Sequence, residues 1–187
     1  AFACAERIQK TINSLNINGI NVTVSIGLAE KTKKTDTLEK LVRELSGRGV
    51  RVGTVKHAHR HMDFDRKGKD TWRHRNAGAA ATLALCPDQA ALIRDNDGDP
   101  RALIQTHLSD MDLILVEGLK HLPLPKIEIF RRDGPHPTPL FEDPGMEKHL
   151  IALVSDSDFE PRVPVFGLEQ TAGLADFIQA RFLEEKP

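Results

Sequence analysis

Two stretches carry residues whose types and spacing suit chemistry. The first is "DMDLILVEGLK", residues 110–120, an almost continuous apolar run that ends on Glu117-Gly118. A run that is apolar on both faces reads as a central parallel strand. Its terminal acid then stands at the carboxyl edge of the sheet, where open α/β sheets bind their ligands. A carboxylate at that edge suits Mg2+, which takes hard oxygens and keeps several waters. An acid at a strand end that simply meets solvent fits the same residues.

The second stretch is "TVKHAHRHMDFDRKGKDTWRHR", residues 54–75. His57, His59, His61, Asp63 and Asp65 alternate, so an extended segment would carry all of them on one face. Such a row suits a transition metal. A polar loop with solvated histidines is the plainer reading. Anion binding fits better than either metal or solvent. Lys56, Arg60, Arg66, Lys67, Lys69, Arg73, His74 and Arg75 concentrate positive charge near a strand end, as a phosphorylated ligand requires.

Composition narrows the classes open to the chain. Its 187 residues suit one domain with a real core, and 40 % hydrophobic residues argue for a globular fold. A net charge of −1 and a pI near 6.8 give no global field toward nucleic acid or a membrane surface. Aromatics are 5 % and Tyr is absent, which argues against a stacking platform for single strands. Cys4 and Cys86 form neither a zinc pattern nor a disulfide framework, so a reduced, cytoplasmic protein is expected. The opening "AFACAERIQK" turns charged too early for a signal peptide, and no apolar run approaches the ~20 residues that span a bilayer. The chain starts at Ala rather than Met, as a piece of a longer product would.

The elements that must position these residues are an alternation of strands and helices. Residues 2–15 repeat apolar positions at helical steps, and "NVTVSIGL" is β-branched and strand-like. A second helix follows, with Leu38, Leu41, Val42 and Leu45 on one face and Gly47 and Gly49 at its end. "VRVGTVKH" completes a βαβ unit, which implies parallel strands and a right-handed crossover. Residues 58–69 read as a loop, and Asp70 suits the cap of a short helix through Ala77. "AAATLAL" and "QAALIR" read as short strands, and "DPRALIQTHL" as a helix with Pro100 in its first turn. After "DLILVEG", further strands are expected at "KIEIFRR", "HLIALVSD" and "VPVFGL", with a closing helix over residues 170–184. The pattern predicts an α/β fold: a mostly parallel sheet flanked by helices, with an added antiparallel portion.

Three blocks make a resemblance specific: "VGTVKHAHR", "FDRKGKDTWRHRNAGA" and "DLILVEGLKHLPLPKIEIFR". They resemble the MobB family, the adaptor proteins of molybdopterin-guanine dinucleotide biosynthesis, from about Leu38 to Pro187. The resemblance implies a P-loop NTPase-like fold that binds GTP with Mg2+ and forms a homodimer. It implies an adaptor that assists MobA, the guanylyltransferase that attaches GMP to the molybdopterin cofactor, with at most feeble GTPase activity. Carried onto this sequence, Lys34 would meet the β- and γ-phosphates, and Thr35 and Glu117 would meet Mg2+. Lys56, His57, His59, Asp63, Lys69, Asp70, Arg73 and Gly118 would line the cleft, with Lys120 and Lys126 adding charge near its mouth.

The family's first loop resembles G-x-x-G-S-G-K-T-T, and here "EKTKKTDTLEKL" stands in its place. Lys34 and Thr35 match its Lys-Thr, Asp36 replaces the second Thr, and Lys31 and Lys33 fall on glycines. Lysine resists the positive φ angles that let backbone N–H groups wrap phosphates, at a cost of order 1 kcal/mol or more per residue. The loop keeps two side chains and loses its backbone freedom. Residues 1–30, "AERIQKTINSLNINGINVTVSIGLAE" within them, resemble the C-terminal part of a GGDEF (diguanylate cyclase) domain, although the GGDEF signature itself is absent. The expected organisation is a GGDEF-like fragment over 1–30 that supplies a helix and the first strand, then a MobB-like domain over 31–187 with a degenerate phosphate loop. Two alternatives stand beside the GTP-binding adaptor. One is a nucleotide-free interaction module, the other a metal-handling protein using the His57/His59/His61 row.

Overall fold

The computed structural model describes residues 23–28, 37–58, 60–96, 98–119, 121–134 and 138–184. The chain divides into two units, one of residues 1–57 and 104–187 and one of residues 58–103, each described by itself. The helix expected over residues 2–15 and the loop at residues 31–36 lie outside the described residues.

The larger unit is built on a six-stranded parallel sheet. Its strands are β1 (Thr23–Leu28), β2 (Val52–Lys56), β5 (Leu113–Glu117), β6 (Lys126–Phe130), β7 (Leu150–Ser155) and β8 (Val165–Phe166). Their order across the sheet is β2-β5-β1-β6-β7-β8. Helix α1 (Thr37–Gly47) joins β1 to β2 and thereby skips over β5. It is amphipathic as its sequence predicts, and buries Leu41 and Leu45. Its end has a physical cause: Gly49 takes φ +86, Val50 N–H reaches Leu45 O and Gly49 N–H reaches Ser46 O. That pair of bonds closes the last carbonyls around a left-handed residue, which glycine adopts without strain.

The sheet is covered on both faces. On one side Leu41 and Leu45 of α1 meet Leu174 and Ile178 of helix α4 (Thr171–Phe182) over Leu113, Leu115, Ile127, Ile129 and Val154. Arg48, just past α1, bonds Asp176 Oδ1 and Gln179 Oε1 of α4 at 2.6 Å each. On the other side Ile104 packs with Ile114 and Val116, flanked by Val55, Leu108, Met111 and Leu119. The strict alternation of Leu113, Leu115 against Ile114, Val116 between the two cores explains why β5 shows no polar positions before Glu117.

β5 and β6 are parallel strands joined only by residues 118–125, too short for a crossover helix. Their stagger makes this workable. Ser25 of β1 pairs with Val116 on one side and with Lys126 on the other, so β6 begins level with the end of β5. β6 therefore rises beyond the carboxyl edge of β5.

The smaller unit holds helix α2 (Asp70–Asn76) and strands β3 (Ala81–Leu85) and β4 (Ala90–Arg94). β3 and β4 pair antiparallel in a sheet of their own, which is the antiparallel portion the sequence called for. Asp70 differs from expectation. It is the first helical residue, Lys69 holds the N-cap position, and no side chain caps the helix there. Asp70 instead places negative charge in the first turn, with Arg73, His74 and Arg75 in the last, as the helix dipole favours. Helix α3 (Pro100–Leu108) starts on a true cap, Asp99 Oδ1 accepting Arg101 N–H at 3.1 Å.

Candidate functional site

The carboxyl edge of the larger sheet is set by chain direction. The chain leaves β1 toward β2 on one side and later crosses from β5 to β6 on the other, which makes the ends of β5 and β1 the switch point of the sheet. Open α/β sheets take their ligands in the crevice outside such a point. Ile26 of β1 pairs with Glu117 of β5, and Glu117 pairs in turn with Lys56 of β2. Glu117 therefore sits in the row that ends β2 and β5 at the carboxyl edge.

Four residues named from the sequence come together here: Lys56, His57, Glu117 and Gly118. The Lys56 ammonium donates to Glu117 Oε1 in an ion pair, with the lysine side chain 54 % exposed and the glutamate 20 %. His57 N–H donates to Glu117 O at 2.8 Å, extending the ladder one residue past β2. Gly118 takes φ +95, and a Cβ built there would lie 2.9 Å from both His57 Cβ and His57 O. Glycine is required twice over, by the dihedral and by the approach of the two strand ends. Leu119 follows at φ +50, the one described non-glycine residue in the left-handed region, and its side chain packs on the Ile104 core. Leu122 N–H then turns back to Leu119 O at 2.9 Å.

Lys126 departs from the expectation of charge at the mouth. Its side chain is buried at the start of β6, and its ammonium donates to Leu122 O at 2.6 Å and Leu124 O at 3.2 Å. Burial holds its pKa below the ordinary lysine value. The stagger of β6 is the cause: the strand begins under the 118–125 loop, so the lysine serves that loop from inside. Glu128, two residues on, is also buried and accepts Leu140 N–H on both oxygens at 2.8 and 2.9 Å. Desolvation raises its pKa and the backbone bond opposes that rise.

The basic segment belongs to the smaller unit. Asp65 organises it, accepting from Thr71 Oγ1 at 2.9 Å and lying 3.8 Å from Arg75 Nη1. Nothing in the sequence signals that role beyond an acid six residues before a helical hydroxyl. Arg73 lies 3.7 Å from Asp70 Oδ1 on the exposed face of α2. Among the described residues, Arg60, Arg66, Lys67 and Lys69 have no carboxylate within ion-pair distance, so their charge faces solvent. Asp63 is exposed and meets His61 Nε2 at 3.1 Å. Thus Asp63, Lys69, Asp70 and Arg73 share the smaller unit, while Lys56, His57, Glu117 and Gly118 share the larger. Lys34, Thr35, His59 and Lys120 lie outside the described residues. Among the described residues no three His, Cys, Asp or Glu side chains gather as a metal set.

Glu117 fits Mg2+ by its donor chemistry. It is a hard-oxygen ligand on a rigid strand end that already holds a cation, the Lys56 ammonium. Mg2+ commonly uses one or two carboxylates and completes its shell with phosphate oxygens and water.

A parallel sheet of this order, with helices on both faces and an acid at its switch point, defines a P-loop NTPase-like α/β domain. The family model described as "Molybdopterin guanine dinucleotide synthesis protein B" matches residues 23–156, and the chain belongs to that family, MobB. The molybdopterin-guanine dinucleotide biosynthesis adapter protein of Escherichia coli (strain K12) is 38 % identical over 152 residues, 79 % of this chain and 85 % of that protein. Its counterpart from Haemophilus influenzae is 30 % identical over 152 residues, 78 % of this chain and 81 % of that protein. The crystal structure of Bacillus subtilis MobB superposes with a TM-score of 0.65 at 23 % identity, covering 88 % of this chain and 99 % of that one. A second solved structure, molybdopterin-guanine biosynthesis protein B, gives 0.66 at 23 % identity, covering 86 % and 99 %. Among the described residues no helix is long and apolar enough to cross a membrane.

Proposed function

We propose that the chain is an adaptor of molybdopterin guanine dinucleotide biosynthesis that binds GTP with Mg2+ at the carboxyl edge of β2, β5 and β1 and assists a MobA-like guanylyltransferase. The observation that carries this reading is the placement of Lys56, His57, Glu117 and Gly118 together at the adjoining ends of β2 and β5, at the switch point of a parallel sheet. Lys56 supplies the ammonium for phosphate oxygens and Glu117 the carboxylate for the metal. Mg2+, when bound, neutralises the phosphate charge that Glu117 would otherwise repel. Lys34 and Thr35, which lie outside the described residues, would add a second ammonium and a hydroxyl by the resemblance of their sequence to the family's phosphate loop. In the smaller unit, Lys69 and Arg73 offer charge to a phosphorylated ligand such as the pterin cofactor. Isothermal titration with GTP and Mg2+ tests the reading: saturable heat is expected, and none at millimolar nucleotide retires it.

The replaced glycines at Lys31 and Lys33 favour a second reading, an interaction module that has lost the nucleotide. Capture of the guanylyltransferase by a chain that takes up no GTP supports this second reading over the first.

The functional form is proposed to be a homodimer through the antiparallel ribbon. Leu83 and Leu92 face each other across β3 and β4 on the side that also carries Leu85, and all three are exposed. A two-stranded ribbon is marginal alone and rarely leaves such a face to water. A second copy of the same face would cover it.

A further inference from the structure

We infer that the Lys56 ammonium is an internal stand-in for the divalent cation, so that Glu117 accepts a metal only after a polyphosphate has drawn Lys56 away. This deepens the proposed nucleotide site and rests on it for the source of the polyphosphate. Three observations lead here. Lys56 and Glu117 are directly paired in the parallel register, which sets the ammonium against this carboxylate. The ammonium occupies Oε1 of a carboxylate whose side chain is only 20 % exposed. Lys56 is more than half exposed, so its four-carbon stem is free to swing outward without unpacking the sheet.

The electrostatics follow from like charge. A divalent cation on Glu117 and an ammonium on the same oxygen cannot both be accommodated a few ångströms apart in a half-buried setting. A triphosphate resolves the conflict, because its oxygens give Lys56 a stronger partner than the single carboxylate. Glu117 is then released for the cation, and the phosphates complete the shell. The consequence is an order of binding: bare metal is refused, and metal with polyphosphate is taken. His57, held to Glu117 through its backbone, keeps the two strand ends together while Lys56 changes partner.

The experiment uses the full chain and Mn2+ as the probe, followed by loss of its free-ion paramagnetic signal. Without nucleotide, wild-type protein should bind Mn2+ weakly. Lys56→Met should bind it about tenfold more tightly, the gain expected from removing one adjacent like charge. Glu117→Gln added to Lys56→Met should abolish the gain, and Lys56→Arg should bind as weakly as wild type. An unchanged or weaker Mn2+ affinity in Lys56→Met overturns the inference. So does a gain that survives Glu117→Gln. A GTP titration of the same proteins separates the two ideas. A Mn2+ gain without any GTP binding leaves the lysine stand-in intact and defeats the nucleotide reading, and GTP binding without a Mn2+ gain does the reverse.

Discussion

Lys56 and Glu117 stand directly opposite each other at the ends of two adjacent parallel strands and close an ion pair over the carboxyl edge of the sheet. The pair is an outcome of register: every residue from Val52 to Lys56 has its partner between Leu113 and Glu117. A shift of either strand by one residue would turn that strand's side chains to the opposite face and part the pair. The hydrophobic content of β5, buried from Leu113 through Val116, is what forbids that shift.

Gly118 should tolerate no side chain. Gly118→Ala would hold a Cβ against His57 at a dihedral that L residues avoid. The left-handed dihedral alone costs about 1–3 kcal/mol, before the contact is counted. Urea unfolding should show a loss of at least that size, and titration calorimetry a weaker Mg2+–GTP interaction. A fully stable variant would mean that the two strand ends do not approach as described.

Leu45 should dominate the packing of α1. It is fully buried between the helix pair and the sheet, and it also closes the helix end through its carbonyl. Leu45→Ala should cost about 2–5 kcal/mol, the usual range for a buried leucine. Leu38→Ala, on the partly buried flank of the same core, should cost less. Thermal or urea unfolding of both variants checks the ranking.

Glu128 should leave a pH signature. Its folded-state pKa is raised by burial above the ordinary value of 4.5. The folded chain then takes up the proton more readily than the unfolded chain. The associated stability is complete below the unfolded value and is lost as pH rises through the folded one. Glu128→Gln keeps an acceptor for Leu140 N–H and does not ionise. Unfolding free energy measured from pH 4.5 upward should therefore fall less in the variant than in the wild type. Parallel pH profiles would contradict this account.

The ribbon should carry the dimer. Leu83→Asp with Leu92→Asp puts like charges opposite each other on the exposed face, where a second copy would have to pack. Sedimentation velocity should show a dimer for the wild type and a monomer for the double variant. A wild-type monomer, or a double variant that stays dimeric, would place the interface elsewhere.

Much of this architecture was legible before the structure. The apolar run of β5, the helical spacing of Leu38, Leu41, Val42 and Leu45, and the glycine stop at Gly49 are local signals with local causes. The acid-tipped strand is also placed as the sequence suggests, with Glu117 ending β5 at the carboxyl edge of the sheet. What was not legible depends on long-range register. Lys126 reads as a surface lysine until β6 is seen to start level with Val116, which puts its ammonium under the 118–125 loop. "AAATLAL" and "QAALIR" are plain strand signals, yet no local pattern says that they form a sheet of their own. Asp65 looks like one more member of an alternating row, whereas its carboxylate serves Thr71 and Arg75.

The most direct test of the nucleotide site is where the protein responds to GTP. Amide resonances of the labelled chain, followed during titration with GTP and Mg2+, should shift at His57 and Gly118 on the carboxyl edge and stay still at Gly49 and Asp112 on the amino edge. Shifts confined to Gly49 and Asp112, or none at millimolar nucleotide, would contradict the account.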